Sequence, residues 1–189
     1  MKRSIRLALG CCAMLVLAGC GGPGPTATSA PKPAKPQCDS AYMGRGYGSE
    51  IGLSTATRNV YAITLYTVPG QPECTMSGYL EVEITLKGGK YLRATPTLRG
   101  PAGGLPANDD RLPVVDVIST EEPVNGVKRR SAVALLEGPS VDSLGRPCPT
   151  STEISFKLPN WKEPYVSQTE IATFTLCAME IHPLTARAE

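Results

Sequence analysis

The sequence predicts an all-β domain: an antiparallel two-sheet sandwich of immunoglobulin-like architecture with two disulfides, preceded by a signal peptide and a Pro-rich tether. Three observations carry that expectation. Several short runs alternate apolar and polar side chains with period two, no stretch shows a sustained helical stripe, and four cysteines follow an export signal. Gly/Pro turn signals separate the runs, as an open antiparallel topology requires.

Composition sets the bounds. The 189 residues include 19 Gly and 18 Pro but only two Phe and one Trp, so the chain is turn-rich and its core is small. Nineteen Lys and Arg against 17 Asp and Glu leave a net charge of +2, which excludes a general polyanion binder and with it a nucleic-acid module. The length fits one compact domain and excludes a large multidomain enzyme, a polytopic membrane protein or a two-lobed solute receptor.

Residues 1–19 are read as a lipoprotein signal peptide. Lys2, Arg3 and Arg6 form a basic lead, and the apolar stretch from Leu7 to Leu17 is too short to span a bilayer. Leu17-Ala18-Gly19-Cys20 then resembles the bacterial lipobox, which implies a diacylglycerol on the Cys20 thiol and cleavage just before it. Each buried methylene contributes about 0.8 kcal/mol, so several acyl chains on one residue would hold a domain on the extracytoplasmic face of the cell membrane. Residues 20–37 follow as a tether with Pro23, Pro25, Pro31, Pro33 and Pro36, and Lys32 and Lys35 are read as solvated linker charges.

The sandwich is assigned to residues 38–185, with 186–189 as a C-terminal tail. Cys11 and Cys12 would leave with the signal, so Cys38, Cys74, Cys148 and Cys177 remain for two disulfides. Three pairings are open. Neighbour pairing, Cys38 with Cys74 and Cys148 with Cys177, is the expected one, and each bridge would stabilise the fold by about 3 to 4 kcal/mol.

Within the domain, Tyr61, Ile63 and Leu65 alternate with smaller or polar neighbours. Leu80, Val82, Ile84 and Leu86 alternate with Glu81, Glu83 and Thr85. Gly88-Gly89 reads as a hairpin turn into Lys90-Tyr91-Leu92. Asn125-Gly126 reads as another, between Pro113 to Ile118 and Ser131 to Leu136. Ile154, Phe156 and Leu158 form a further strand, and Ala172 to Ile181 a final long one carrying Cys177. Arg99 to Arg111, rich in Gly and Pro, is expected to be the longest structureless loop.

Cys74-Thr75-Met76-Ser77-Gly78-Tyr79, entering an alternating strand, resembles the Cys-Thr-Leu-x-Gly-Tyr motif of domain-of-unknown-function family 4232, found mainly in secreted proteins and lipoproteins of actinobacteria. The resemblance extends through Cys148 to Thr175-Leu176-Cys177-Ala178-Met179-Glu180-Ile181. Met76 stands where the family has Leu, and Leu80-Glu81 where it often has Pro-Gly, so the strand entry differs. The resemblance implies a β-sandwich, a similar cysteine framework and an exported address. The family has no established activity, so no catalytic residue is implied.

The chain carries no catalytic constellation. His182, the one histidine, stands beside Pro183 and reads as an exposed strand-end residue, and no Gly-x-Ser-x-Gly elbow occurs. Glu81 and Glu83 share a strand face and read as solvated, Asn108-Asp109-Asp110 lacks calcium-loop spacing, and Lys128-Arg129-Arg130 reads as a charged hairpin edge. Without a Cys-x-x-Cys pair or clustered Met and His, neither zinc nor copper is expected, and no cofactor is implied. Trp161 and Tyr165, in the proline-bounded loop Pro159 to Tyr165, are the candidate partner contacts, although a tryptophan that closes one end of a sandwich is the commoner outcome. The functional expectation is a membrane-anchored lipoprotein displaying a non-catalytic sandwich that binds an envelope or extracellular protein or glycan. The alternative is a small envelope hydrolase using a serine with Lys or His182.

Overall fold

A computed structural model of the chain describes residues 34–49, 52–86, 88–124, 127–151, 153–158, 160–168 and 173–188. The signal peptide, Cys20, the tether as far as Pro33, the Asn125-Gly126 turn and Ala172 lie outside the described residues. Ala34–Glu189 is one compact unit.

A single 3-10 turn, Ser40–Tyr42, precedes strands β1 (Met43–Ser49), β2 (Arg58–Thr67), β3 (Cys74–Ser77) and β4 (Glu81–Thr85). Next come β5 (Tyr91–Arg93), β6 (Thr95–Pro96), β7 (Arg99–Gly100), β8 (Gly103–Gly104), β9 (Val114–Val124) and β10 (Val127–Pro139). The chain closes with β11 (Thr150–Ser151), β12 (Glu153–Lys157), β13 (Tyr165–Gln168), β14 (Phe174–Thr175), β15 (Glu180–Ile181) and β16 (Thr185–Ala188). The larger sheet runs β1-β2-β10-β15-β6, with β16 pairing β10 and β9 joining β10 to β3. The smaller runs β13-β12-β4-β5. Pairing is antiparallel throughout both sheets except between β15 and β6.

The period-two runs form the strands they predict. In β4, Val82 and Ile84 are buried and Glu81 is exposed; in β12, Ile154 and Phe156 are buried. Register places Val82 opposite Phe156 and Ile84 opposite Ile154, so one face of the smaller sheet is apolar. That face shares a single core with Ile63 and Leu65 of β2, Val115 and Val117 of β9, and Ala132, Ala134 and Leu136 of β10. Gly88 and Gly89, at φ of 93° and 77°, occupy the left-handed region that the β4–β5 hairpin requires. Both disulfides join sequence neighbours, Cys38 with Cys74 and Cys148 with Cys177.

In β2, Val60 to Ile63 are four consecutive buried residues, so both faces of this strand are covered at that end. The cover is the β7–β8 hairpin. Its Ala102 N–H points at Glu137 Oε1 of β10 from 3.5 Å, and Gly100 lies so close to the same oxygen that no side chain would fit there. Glu137, wholly buried as a result, accepts from Arg58 Nη1 at 2.9 Å and pairs with His182 Nε2 at 2.7 Å. A buried carboxylate needs such partners, and the cluster joins three adjacent strands beneath the hairpin.

The structure departs from five expectations. The segment from Arg99 to Arg111 is ordered, since Arg99 donates to the Pro106 and Asp109 carbonyls and pairs with Asp110 at 2.6 Å. His182 is 2% exposed, because the hairpin seals the sheet face on which it stands. The long last strand is broken into β14, which pairs β11, and β15, which pairs β10 and β6, with the bridged Cys177 between them. The tail from residue 186 belongs to the sheet, for β16 pairs β10 from Thr185 opposite Val133 to Ala188 opposite Arg130. Likewise, Lys35 is no free linker charge: its ammonium lies 2.9 Å from both Glu73 and Asp116.

Candidate binding groove

A groove of about 750 Å³ lies on the outer face of the smaller sheet, within the size range of ligand sites. The alternation that buries Val82, Ile154 and Phe156 turns Glu81, Glu83, Ser155 and Lys157 outward to line it. Tyr79, Pro96, Leu112 and Pro164 add apolar surface at its margins. Sequence reasoning found Glu81 and Glu83 but missed Arg93, Ser155 and Lys157, because nothing in the sequence pairs β4 with β5 on one side and β12 on the other. The signal that was present is the matching polar alternation of the two strands.

Cross-strand register decides the electrostatics. Arg93 stands opposite Glu83 and donates its Nε–H to Oε2 at 2.5 Å, and Lys157 stands opposite Glu81 with 3.3 Å between the charges. The hydrogen bond to Glu83 raises the Arg93 pKa, so its charge is permanent. Exposed pairs of this kind contribute little to stability, so their effect here is to organise a surface. Burial pushes the Tyr79 phenol above its ordinary value of 10.0, which keeps it protonated and able to donate. Neither the Tyr79 hydroxyl nor Ser155 Oγ has a hydrogen-bond partner among the described residues.

The structure places the expected contact residues elsewhere. Trp161 is 5% exposed, its indole N–H donates to the Cys38 carbonyl at 3.2 Å, and its ring lies 6.5 Å from that of Phe156. It therefore closes one end of the core and is not an exposed anchor; the loop composition suggested exposure, but the apolar wall of β12 and the Cys38 backbone take the ring in. Tyr165 is half-buried beneath the Arg45 guanidinium, 3.7 Å from its ring centroid. The two rings share Arg45 with each other, and neither lines the groove.

His182 also lies away from the groove, held between Glu137 and Gly100, with Nδ1 buried and unpartnered. A carboxylate accepts, so Nε2 is the ring nitrogen that carries the proton toward Glu137. Asp109 is held below the usual carboxylate range by the Arg111 guanidinium, and Asp110 pairs with Arg99, so both side chains of that acidic run serve the loop itself. Of the basic triplet, Arg129 stacks 4.3 Å from the Tyr66 centroid and Arg130 lies 3.6 Å from Asp116. Met43, Met76 and Met179 are buried in the core. Among the described residues no group of three or more His, Cys, Asp or Glu could hold a metal ion, and no helix is long and apolar enough to cross a membrane. Comparison of the chain with family models, with curated proteins and with solved structures finds no match.

Proposed function

We propose that the chain is a lipoprotein anchored through acylated Cys20 to the extracytoplasmic face of the cell membrane, where its β domain binds an envelope partner without catalysis. The observation that carries the binding half is the groove over β4 and β12, whose polar residues are spent on one another only in part. The anchoring half is supported by the basic lead, the short apolar stretch and the Leu17-Ala18-Gly19-Cys20 signal, and the likeness to family 4232 favours the same address. The hydrolase alternative needs a serine with Lys or His182, whereas His182 is sealed under Gly100, and in the groove the Lys157 ammonium lies 3.3 Å from Glu81 with no hydrogen bond to Ser155 among the described residues.

Two measurements test the two halves separately. Replacing Cys20 by Ser should move the protein from the membrane fraction to the soluble one without unfolding it, and a variant that stays with the membrane contradicts the anchor. A photo-crosslinking residue at position 155, on intact cells, should capture a product that the same residue at Leu144, exposed but not lining the groove, does not. Identical capture profiles from the two positions would remove the groove as the binding surface.

A further inference from the structure

The hydrogen-bonding groups of the groove define the chemistry of what fits it. On the outer face of the smaller sheet, register sets Arg93, Glu83 and Ser155 in one row across β5, β4 and β12, and Glu81 beside Lys157 in the next. The two cations are each engaged by a carboxylate, so the row carries no net field to attract a polyanion or a polycation. Each carboxylate meets its cation through Oε2, leaving Oε1 as an acceptor. Among the described residues the Tyr79 hydroxyl and Ser155 Oγ have no hydrogen-bond partner, and a hydroxyl both donates and accepts.

An extended peptide joining the sheet would need unpaired backbone groups. The central strands of the floor offer none, since β4 is paired by β5 and β12, and β12 by β4 and β13; only the outer edges of β5 and β13 are open. What remains is a surface of alternating donors and acceptors, electrically balanced and flanked by the Tyr79 ring, Leu112 and two prolines. A pyranose matches both parts: its hydroxyls donate and accept in one plane, and its C–H faces pack on rings and apolar walls.

Resting on the reading of this groove as the binding surface, we propose that its ligand is a neutral, hydroxyl-rich glycan strand. Its hydroxyls are met by Ser155, Tyr79 and the free carboxylate oxygens of Glu81 and Glu83.

The full chain, titrated with cellohexaose and with the hexamer of N-acetylglucosamine, tests this by amide chemical shifts, with a proline-rich peptide and polyglutamate run in parallel. At least one hexasaccharide should give saturable shifts centred on Tyr79 to Glu83, Arg93 and Ser155 to Lys157. Ser155→Ala and Tyr79→Phe, which keep the fold and remove one hydroxyl each, should each weaken that binding by about three- to tenfold, as loss of one hydrogen bond does. Leu144→Ala, exposed but not lining the groove, should leave it unchanged.

Absence of saturable binding by both sugars at about 10 mM, a concentration that detects even millimolar affinity, overturns the glycan assignment. So does saturation of the groove by the peptide or by polyglutamate. Should both sugars fail while crosslinking from position 155 still differs from that at 144, the glycan alone falls and the groove stands. Should the crosslinking profiles coincide as well, both readings fall.

Discussion

The carboxylate of Glu137 and the imidazole of His182, 2.7 Å apart and both out of contact with solvent, are joined across β10 and the end of β15 beneath the β7–β8 hairpin. Arg58 closes the cluster from β2 at 2.9 Å. Removing one member of a buried charged cluster leaves the others without compensation. Glu137→Ala should therefore lower unfolding free energy in urea by about 3 to 5 kcal/mol. Gly100→Ala, which drives a methyl into Glu137 Oε1, should cost about 1 to 3 kcal/mol. A Glu137→Ala midpoint equal to that of the parent protein would mean that the cluster holds nothing together.

The sole tryptophan reports on the Cys38 end of the core. With its ring buried and its N–H bonded to the Cys38 carbonyl, folded-state emission should be blue-shifted and poorly quenched by iodide. Trp161→Phe leaves that carbonyl unsatisfied and should destabilise the fold by about 1 to 3 kcal/mol. Emission at the wavelength of free tryptophan in the native protein would contradict the placement.

The disulfides enclose separations of 36 and 29 residues, and chain entropy assigns each about 3 to 4 kcal/mol. Non-reducing peptide mapping should recover Cys38 with Cys74 and Cys148 with Cys177. Replacing either pair by alanine should lower the urea midpoint, and recovery of a crossed pairing would overturn the assigned connectivity.

The acid and alkaline responses have opposite signs. The Asp142 carboxyl is held below its ordinary 3.8 by the Arg146 guanidinium first and by the Arg146 backbone N–H second. Its contribution is present above pH 3.8 and is lost as pH falls through the lower folded value. The Lys35 ammonium is held above its ordinary 10.5 by Asp116 first and Glu73 second, so its contribution is present below pH 10.5 and is lost as pH rises through the higher folded value. In carboxyl-detected NMR, Arg146→Gln should raise the Asp142 midpoint toward 3.8, and an unmoved midpoint would sink this assignment. Lys35→Met should flatten the alkaline limb of stability.

Local pattern made part of this fold legible. Val82 and Ile84, like Ile154 and Phe156, alternate with polar residues because each strand has one wet face, and Gly88-Gly89 marks the turn between β4 and β5. Of the three cysteine pairings the sequence left open, the expected neighbour pairing is the one the structure has. Glu137 and His182 were not legible, since their burial is imposed by a hairpin more than thirty residues upstream of the nearer one, and a polar residue at a strand end reads as solvated until its cover is known. Trp161 carried two readings, since a loop rich in proline and charge suggests exposure while a lone tryptophan commonly closes a sandwich, and the second is the one found, with Cys38 and Phe156 receiving the ring. Of the groove, only Glu81 and Glu83 were visible, and they were read as a solvated strand face. Arg93, Ser155 and Lys157 joined it only through strand pairing.

The Cys38–Cys74 bond also decides how the molecule answers a pull. Force entering at Ala34 meets the Lys35 ion pairs and the Gln37 bridge to Thr75, then crosses from Cys38 to Cys74 through sulfur. Strands β1 and β2 lie inside the bypassed segment and bear no direct load along that path. Stretched from this end, the oxidised domain cannot unravel at its first strand; it must give way at β3 and β9, whereas reduction returns the intervening length to the path and lets β1 peel from its neighbour.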